Sequence, residues 1–392
     1  MLHTGWLLAA GLAYGQVAYV VPAPEVRMPA PIVDGNSPGV WVDGQLRVYT
    51  STGAQPMAMS GADITSLTMT DPPVVTPATH YPLWIEAVWQ DNASGNLYAW
   101  YHHEPGDVCG GRLSAPKIGA LVSSDGGRTF ADLGIVLSSG DPLNCSAPNG
   151  FFAGGHGDFS VITDRDGAFL YFLFTNYGGA ASTHGIAIAR IAVADLASPV
   201  GAVWKYSRGN WESPGVGGAL TPVMAARVGW DRENTDSYWG PAIHWNVHLQ
   251  NYVVLLNRAC CEPGWPQEGI YLSYGSDLAD PGTWTTPAKL IDEQHVGFAP
   301  AYYPQAFGSG PDDTDTQAGQ LPRLFVKGYS AWQIYFAPSV PPDPLDPVDP
   351  VDPGGEEEAV APETTAAQKA AVVPSSTGRV SRRVLRLSLP QR

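Results

Sequence analysis

The sequence predicts an all-β protein, and within that class a five-bladed β-propeller with a disordered C-terminal tail. Three observations support this prediction. The 392-residue chain contains 44 Gly, 36 Pro and 13 Trp, a composition typical of many short strands separated by tight turns. Apolar patterns with the spacing of long helices are scarce. A hairpin-like unit recurs five times along the chain, and successive small antiparallel sheets are characteristic of propellers.

Each of the five units pairs a short first strand, in which a small or polar residue lies among apolar ones, with a more apolar second strand. The predicted first strands are 34–41, 84–89, 156–162, 239–245 and 301–307, and the second strands are 45–49, 96–101, 168–172, 250–256 and 321–326. Asp-Gly turns favour hairpins between them. A two-domain β-sandwich is the alternative architecture, but it does not explain the repeated small or polar residue of the first strand.

One local motif supports the propeller independently. The segment Ser123-Ser-Asp-Gly-Gly-Arg-Thr-Phe130 matches the Asp-box turn, in which Asp and Gly set a hairpin turn and the aromatic ring packs beneath it. This motif is typical of sialidases and other propellers. It is a structural device, so it predicts the fold and supplies no catalytic group.

The chain divides into three zones. Residues 1–25 are predicted to be a signal peptide, with an apolar run from Trp6 to Ala13 that is too short to span a bilayer and a cleavage site at Ala13-Tyr-Gly15. Residues 26–338 are predicted to form the propeller. From Ser339, repeated Pro-Asp pairs favour an extended spacer followed by a disordered tail, 339–392. These zones predict a secreted, cell-surface or periplasmic protein.

Charge and cysteine content limit the partners and the compartment. The formal net charge of −16 argues against binding to nucleic acid or anionic membranes, and it fits a neutral or cationic ligand, although solubility alone also explains it. An exported protein would place a disulfide between Cys109 and Cys145. Cys260 and Cys261 are adjacent, and they could bond to each other, stay free or pair elsewhere. The sequence leaves the oligomeric state unknown.

Three acidic residues, Asp34, Glu86 and Asp158, occupy comparable places in the first three units. The innermost strand of each propeller blade lines the central channel, so these side chains are expected to converge at its mouth. Carboxylates held close together repel, which raises some pKa values and leaves other groups ionised. Glycoside cleavage needs such a split between a protonated acid and a carboxylate. The alternative role for each acid is a turn cap.

A second set of residues is predicted to bind the substrate. Sugar rings stack on aromatic faces, histidines near the acids can bond hydroxyl groups, and an arginine can hold a carboxylate. The predicted substrate-binding residues are Trp84, His103, His156, Trp239, His244, Arg258, Glu268 and Tyr303. For the aromatic members, packing between blades is the alternative. The histidine spacing supports no metal site, and a calcium ion on the channel axis is the one cofactor left open.

Three short motifs resemble the five-bladed glycoside hydrolases, chiefly family 43 and its relatives. They are Asp34-Gly-Asn-Ser-Pro38, His156-Gly-Asp-Phe-Ser-Val-Ile-Thr-Asp-Arg-Asp-Gly167 and Trp239-Gly-Pro-Ala-Ile243. The resemblance implies that Asp34 is the general base and that Asp158 tunes pKa values and orients the substrate. In that family a Glu-Gly-Pro triplet supplies the general acid.

The third role does not transfer, because this chain has Trp239-Gly-Pro241 at the Glu-Gly-Pro position and an indole cannot donate a catalytic proton. Glu86 is the first substitute for the acid, and Glu268 and His244 are weaker ones. The expected function is an exported, inverting glycoside hydrolase acting on a carbohydrate. The alternatives are a carbohydrate-binding propeller without catalysis and a surface scaffold that binds protein.

Overall fold

A computed structural model describes residues 16–51, 55–292 and 302–338, and nearly all regular structure in these ranges is β-strand. The other regular elements there are short 3-10 turns, at Ala78–His80, Val108–Gly111, Ala181–Thr183, Val193–Asp195 and Pro281–Thr283. In the same ranges no helix is long and apolar enough to cross a membrane.

The described strands form five sheets. The first strand of the chain, β1 (Gln16–Arg27), belongs to the fifth sheet. The first sheet contains β2 (Gly39–Val42), β3 (Gln45–Ser51), β4 (Pro56–Gly61) and β5 (Thr68–Met69). The second contains β6 (Val74–Thr76), β7 (Leu83–Gln90), β8 (Leu97–His103), β9 (Lys117–Ser123) and β10 (Thr129–Leu137), with β6 parallel to β10.

The third sheet contains β11 (His156–Thr163), β12 (Phe169–Asn176), β13 (Gly185–Ala192), β14 (Trp204–Ser207), β15 (Asn210–Pro214) and β16 (Met224–Ala225). The fourth contains β17 (Ser237–Asn246), β18 (Asn251–Ala259), β19 (Gln267–Gly275) and β20 (Ala288–Asp292). The fifth contains β21 (Pro304–Phe307), β23 (Arg323–Val326), β24 (Tyr329–Pro338) and β1, while β22 (Gln317–Ala318) pairs in parallel with β17.

Five buried apolar clusters join consecutive sheets and close them into a ring. The clusters link sheets one and two, two and three, three and four, and four and five. A further cluster joins the last sheet to the first by packing Phe307 and Phe325 against Leu46, Val48 and Met59. The prediction of a five-bladed propeller is therefore confirmed. The alternative of a β-sandwich is wrong, because each sheet packs against two neighbours around a ring.

The predicted units map directly onto the blades. The first strands of units two to five coincide with β7, β11, β17 and β21, and the second strands of the five units are β3, β8, β12, β18 and β23. In the first unit, residues 34–38 precede the inner strand β2 and are not part of it. Asp34 therefore reaches the channel from a loop.

The fifth blade is completed by the N-terminal strand. β1 pairs antiparallel with β24 from Gln16 opposite Pro338 to Arg27 opposite Tyr329, with a register shift between Pro22 and Val26. The strand β1 begins ten residues before the predicted propeller boundary at residue 26, and residues 16–22 already pair with β24. The predicted domain boundaries stay predictions. The predicted cleavage site and the tail from residue 339 lie outside the described residues.

The Asp-box turn joins β9 to β10 as predicted. The Asp125 carboxylate accepts hydrogen bonds from the backbone N–H groups of Arg128 and Thr129, each at 3.0 Å, and Phe130 is buried beneath the turn. The disulfide predicted between Cys109 and Cys145 is present, and a second one joins Cys260 to Cys261. Of the alternatives that the sequence leaves open for Cys260 and Cys261, the structure therefore shows a bond between the two.

Candidate active site

The inner strands of the second, third and fourth blades lose their regular register at one level. The shifts lie between Ile85 and Ala87 in β7, between Gly157 and Phe159 in β11, and between Trp239 and Ala242 in β17. A β-bulge leaves its extra residue unpaired and redirects that side chain. Glu86, Asp158 and the Gly240-Pro241 pair occupy these irregular positions, so the fold itself aims them.

The backbone at Asp158 adopts φ = 41°, a left-handed conformation that is uncommon for residues other than glycine. Such a conformation costs on the order of 1–3 kcal/mol and persists where the surrounding structure enforces it, often at functional sites. In β11 the following residue, Phe159, donates its N–H to Glu86 Oε2 at 2.8 Å. The bulge therefore ties the acids of the second and third blades together.

Glu86, Asp158 and Trp239, the residue before Gly240, border a cavity of about 280 Å³. Its lining is rich in aromatic and acidic side chains and consists of Asp34, Trp84, Glu86, His102, Glu104, Phe151, Phe152, Asp158, Tyr177, Trp230, Trp239, Gly264, Trp265, Gln267, Tyr302 and Tyr303. We call Glu86, His102, Glu104 and Asp158 the polar floor. We call Phe151, Phe152, Trp230, Trp239 and Trp265 the aromatic wall.

The three acids predicted to be catalytic all line this cavity. Glu86 and Asp158 are buried in the polar floor, while Asp34 is half-buried and comes from the loop before β2. A Cβ atom at Gly35 would lie 3.2 Å from Glu86 Oε1, so the Asp34 loop packs directly on Glu86. Among the described residues, no side chain or backbone group pairs with the Asp34 carboxylate, which leaves it available to a ligand.

His102 connects the polar floor, although the sequence analysis does not place it among the site residues. Its Nδ1 lies 3.3 Å from Glu86 Oε1 and its Nε2 lies 3.4 Å from Glu104 Oε1. Burial opposes a charge on His102, but its hydrogen bonds to Glu104 and Glu86 and the charge of Asp158 raise its pKa well above the usual value. The backbone N–H of Asp158 also approaches Nδ1, at 3.2 Å.

Burial dominates the acidity of Glu86. Removal from water raises the pKa of its carboxyl group to about 7, although hydrogen bonding and charge from His102 oppose the rise. The pKa of Asp158 is also raised by burial, against the charge of His102. The pKa of Glu104 is lowered, since the bond and charge of His102 outweigh the effect of burial. Below pH 7 the floor therefore holds protonated Glu86 beside ionised Glu104.

Two tyrosines fix Asp158. The Tyr177 hydroxyl donates to Asp158 Oδ2, and the Tyr303 hydroxyl donates to Asp158 Oδ1 at 3.1 Å. Burial and the nearby Asp158 charge raise the pKa values of both phenols well above the usual value, so both remain donors. Asp158 is therefore held in one orientation by hydrogen bonds to both of its oxygens.

The aromatic wall is a packed cluster that surrounds one side of the cavity. Trp265 lies 4.6 Å from Trp230 and 5.1 Å from Phe151, measured between ring centroids. Phe152 stacks on Tyr177 at 4.1 Å. Phe151 is 53% exposed at the rim, whereas Trp230 and Trp265 are buried. Such rings offer apolar faces on which a sugar ring can stack.

Trp84, Trp239 and Tyr303 line the cavity as the sequence predicts, but most of the wall was not predicted. Phe151, Phe152, Trp230, Trp265 and Tyr302, together with His102, Glu104, Tyr177 and Gln267, were absent from the predicted set. Most of the missed aromatic residues lie in loops between strands, where no periodic pattern marks them. Tyr302 and His102 are the two missed residues that the sequence could have indicated, because each is adjacent to a predicted residue, Tyr303 or His103.

The three predicted histidines do not line the cavity. His103 Nδ1 lies 3.1 Å from Pro82 O, His156 packs on Phe174 and His244 packs on Phe336. Successive residues of a strand face opposite sides, so the His102 position excludes His103. His156 precedes the bulge at Asp158, which reverses the alternation expected from sequence.

Burial lowers the pKa of His156 well below its usual value and that of His244 to about 3. Both rings are therefore neutral core groups at physiological pH. His244 is accordingly excluded as the substitute acid.

Arg258 and Glu268 are likewise placed away from the cavity, in a charged network of the fourth blade. Arg258 Nε and Nη2 bond the two carboxylate oxygens of Asp236 at 2.9 and 3.0 Å. Glu268 pairs with Arg258, Tyr271 and Lys289. The structure therefore places Arg258 and Glu268 outside the cavity lining, and their contact with the substrate stays a prediction.

Glu86, His102 and Asp158 place one possible metal-ligand atom each within 4.8 Å of one another. Calcium prefers six to eight oxygen ligands. Here both Asp158 oxygens accept tyrosine hydroxyls and Glu86 Oε2 accepts the Phe159 N–H. The set does not fit calcium, and no step below uses a metal. Calcium elsewhere on the channel axis stays a prediction.

No protein-family model and no curated protein matches this chain. Solved structures to which it is similar include an exo-β-1,3-galactanase from Phanerochaete chrysosporium, 12% identical with a TM-score of 0.47 over 82% of this chain and 64% of that one. An endo-arabinase from Bacteroides thetaiotaomicron is 12% identical, with a TM-score of 0.47 over 82% of this chain and 99% of that one.

A third similar structure is described as a thermostable family-43 glycoside hydrolase, with 12% identity and a TM-score of 0.44 over 79% of this chain and 91% of that one. This is the family that the sequence motifs resemble. The present chain spans slightly less than two thirds of the length of the galactanase.

Proposed function

We propose that this protein is a glycoside hydrolase that cleaves glycosidic bonds in the cavity between the polar floor and the aromatic wall. One observation supports the proposal most strongly. A buried carboxyl group with a pKa raised to about 7, Glu86, borders the same cavity as Asp34, a half-buried carboxylate that bonds no side chain among the described residues. An acid kept protonated near neutral pH and a separate free carboxylate are the two groups that glycoside hydrolysis requires.

In the proposed reaction, Glu86 donates its proton to the glycosidic oxygen as the bond to the anomeric carbon breaks. Asp34 takes a proton from water, and the water oxygen attacks the anomeric carbon from the opposite side. The products are a free reducing sugar and the released alcohol. Asp158, fixed by Tyr177 and Tyr303, maintains the charge and geometry around Glu86. This route inverts the anomeric configuration, which proton NMR of the first product detects.

The charge of the cavity defines the class of sugar. Its described lining contains four carboxyl groups, a single histidine and no lysine or arginine. A uronic acid or sulfated sugar would bring a further negative charge close to Asp34 and Glu104, which costs free energy. We therefore propose a neutral or amino-bearing saccharide as the substrate.

Export of the protein is part of the proposal. Disulfides form and persist mainly in oxidising compartments, and all four cysteines of the chain are paired. The pairing supports a secreted, cell-surface or periplasmic location.

Binding without cleavage is the second candidate, and Trp239 favours it because this residue replaces the expected acid. The third alternative is a protein-binding scaffold whose channel is filled by side chains. An open cavity of about 280 Å³ argues against it.

A screen of neutral, amino-bearing and acidic polysaccharides with the full chain tests these alternatives. Release of reducing ends by the wild type, and not by the Asp34→Asn variant, supports the proposed hydrolysis. Binding of a glycan by the wild type without any product would identify a carbohydrate-binding protein instead. Cleavage restricted to uronic acid polymers would contradict the proposed substrate class.

A further inference from the structure

A short loop joins β18 to β19 and contributes directly to the cavity. The loop runs from Cys260 to Pro266, and both Trp265 in the loop and Gln267 at the start of β19 line the cavity. The Cys260 N–H donates to Pro266 O at 3.1 Å, and a disulfide joins Cys260 to Cys261 at its start. The hydrogen bond therefore closes the loop at its base, and the disulfide constrains the two adjacent residues at its start.

Gln267 connects this loop to Trp239. Its Oε1 accepts the Trp239 indole N–H at 2.8 Å, and its Nε2 donates to Trp265 O at 2.9 Å. The Gln267 side chain is 3% exposed, so neither bond is exchanged for water. Removing a buried partner leaves the remaining group unsatisfied, which is costly. The amide thus fixes both the plane of Trp239 and the backbone beside Trp265.

Trp239 is held from the other side by two tyrosines. Tyr302 and Tyr303 meet it edge to face, each with 5.5 Å between ring centroids. The indole N–H is already satisfied by Gln267, and the ring is only half-buried. What Trp239 offers to the cavity is therefore an apolar face and no proton.

We propose that Trp239 is a stacking platform for the sugar ring and that Gln267 is the positioning residue that holds it, supported by the loop whose start is constrained by the Cys260–Cys261 disulfide. The proposal rests on the proposed function, because its ligand is the sugar of the same cavity. In this proposal Trp239 and Gln267 contribute to the affinity for the sugar and take no part in cleaving the glycosidic bond. The proposal also gives the second disulfide a role in the binding site.

The test compares the wild-type full chain with Gln267→Leu, which removes both hydrogen bonds at similar volume. We expect about a tenfold rise in the oligosaccharide Kd and KM with kcat within twofold, since stacking acts on ground state and transition state alike. Near-UV circular dichroism should lose part of its tryptophan signal. Gln250→Ala is the control, because Gln250 is exposed at the opposite end of the same blade.

A double-mutant cycle tests the loop. Cys260→Ser/Cys261→Ser should weaken binding to a similar extent, and its combination with Gln267→Leu should add less than twofold, because both act on one structural unit. A Gln267→Leu variant that binds within twofold of the wild type, or that lowers kcat with KM unchanged, overturns the proposal. If the Kd of the combined variant rises by the product of the two separate increases, the two changes act independently and the role of the loop is overturned.

These outcomes separate this proposal from the proposed function. Hydrolysis that depends on Asp34 but not on Gln267 contradicts only the positioning role. Glycan binding that depends on Gln267 without hydrolysis supports the positioning role and contradicts the glycosidase.

Discussion

The polar floor and the aromatic wall of the cavity are built in different ways. The floor residues Glu86 and Asp158 lie at bulges of inner strands, and the residues before and after each bulge pair with the second strand of the same blade. Most of the wall lies in loops, with Phe151 and Phe152 before β11 and Trp265 before β19. Strands hold chemical groups at fixed positions, whereas loops can vary with little cost to the fold. The comparison suggests that the floor determines the reaction and the wall determines the sugar.

The largest expected effect falls on the chemistry. Asp34→Asn should lower kcat by about a thousandfold, since a general base contributes roughly a factor of 10² to 10⁴. The fold should not change, because the Asp34 carboxylate bonds no described residue. Calorimetric titration with the same oligosaccharide should give a Kd close to that of the wild type. Loss of binding together with turnover would break the division between the catalytic acids and the aromatic wall.

A substitution in the aromatic wall should weaken substrate binding and leave the turnover rate at saturation nearly unchanged. Trp265→Ala should raise Kd and KM by about tenfold to a hundredfold, because a buried ring that contacts the ligand is removed. The kcat value at saturation should stay within threefold. Trp204→Ala is the matched control, since Trp204 is exposed on β14 away from the cavity. A fall in kcat with KM unchanged would assign Trp265 to the reaction.

The rate should depend on the protonation of Glu86. Its pKa in the folded protein is raised to about 7, so the acid is protonated below pH 7 and ionises above it. The kcat/KM value should therefore decline above pH 7, approaching tenfold per pH unit. Measuring kcat/KM of the wild type over a series of pH values tests this decline. A rate that rises from pH 7 to pH 9 would exclude Glu86 as the acid.

A second buried acid tests whether a raised pKa alone implies catalysis. Burial raises the pKa of Asp315 to about 7, but this residue accepts the Gly39 N–H at 2.7 Å between the fifth and first blades. Its contribution to stability is full below pH 4 and is lost as pH rises through 7. Asp315→Asn keeps an acceptor oxygen, so we expect a Tm higher than that of the wild type at pH 8 and similar at pH 4.

Turnover at pH 6 should be unchanged in Asp315→Asn, which distinguishes this acid from Glu86. Thermal unfolding and a rate measurement on the same samples check both statements. A large loss of activity with an unchanged Tm would contradict the structural role.

The sequence predicted the parts of the molecule that follow from periodic patterns. Five hairpin units and an Asp-box were enough for the propeller, and the recurrence of an acid in each of the first three units was enough to bring Asp34, Glu86 and Asp158 to one cavity. Their catalytic roles stay a prediction. None of the three predicted histidines lines the cavity. His103 follows His102 on β8 and faces the other side, whereas in β11 a bulge reverses which residues face the channel. His156 illustrates this, since its spacing from Asp158 predicts a shared face that the extra residue removes.

The wall and the closing strand could not be predicted for a different reason. Residues such as Phe151, Trp230 and Trp265 come together from separate loops, and no local pattern encodes that approach. The strand β1 resembles a targeting segment because both are short and apolar, and its pairing with β24 depends on residues more than 300 positions away. These features arise only from the closed ring.

The identity of the acid is the central claim, and one measurement tests it directly. Glu86→Gln is assayed on the natural oligosaccharide and on a dinitrophenyl glycoside of the same sugar, whose leaving group needs no proton. We expect a loss of about a thousandfold in kcat on the oligosaccharide and less than tenfold on the dinitrophenyl glycoside. Equal losses on both substrates, or full activity on the oligosaccharide, would contradict the account.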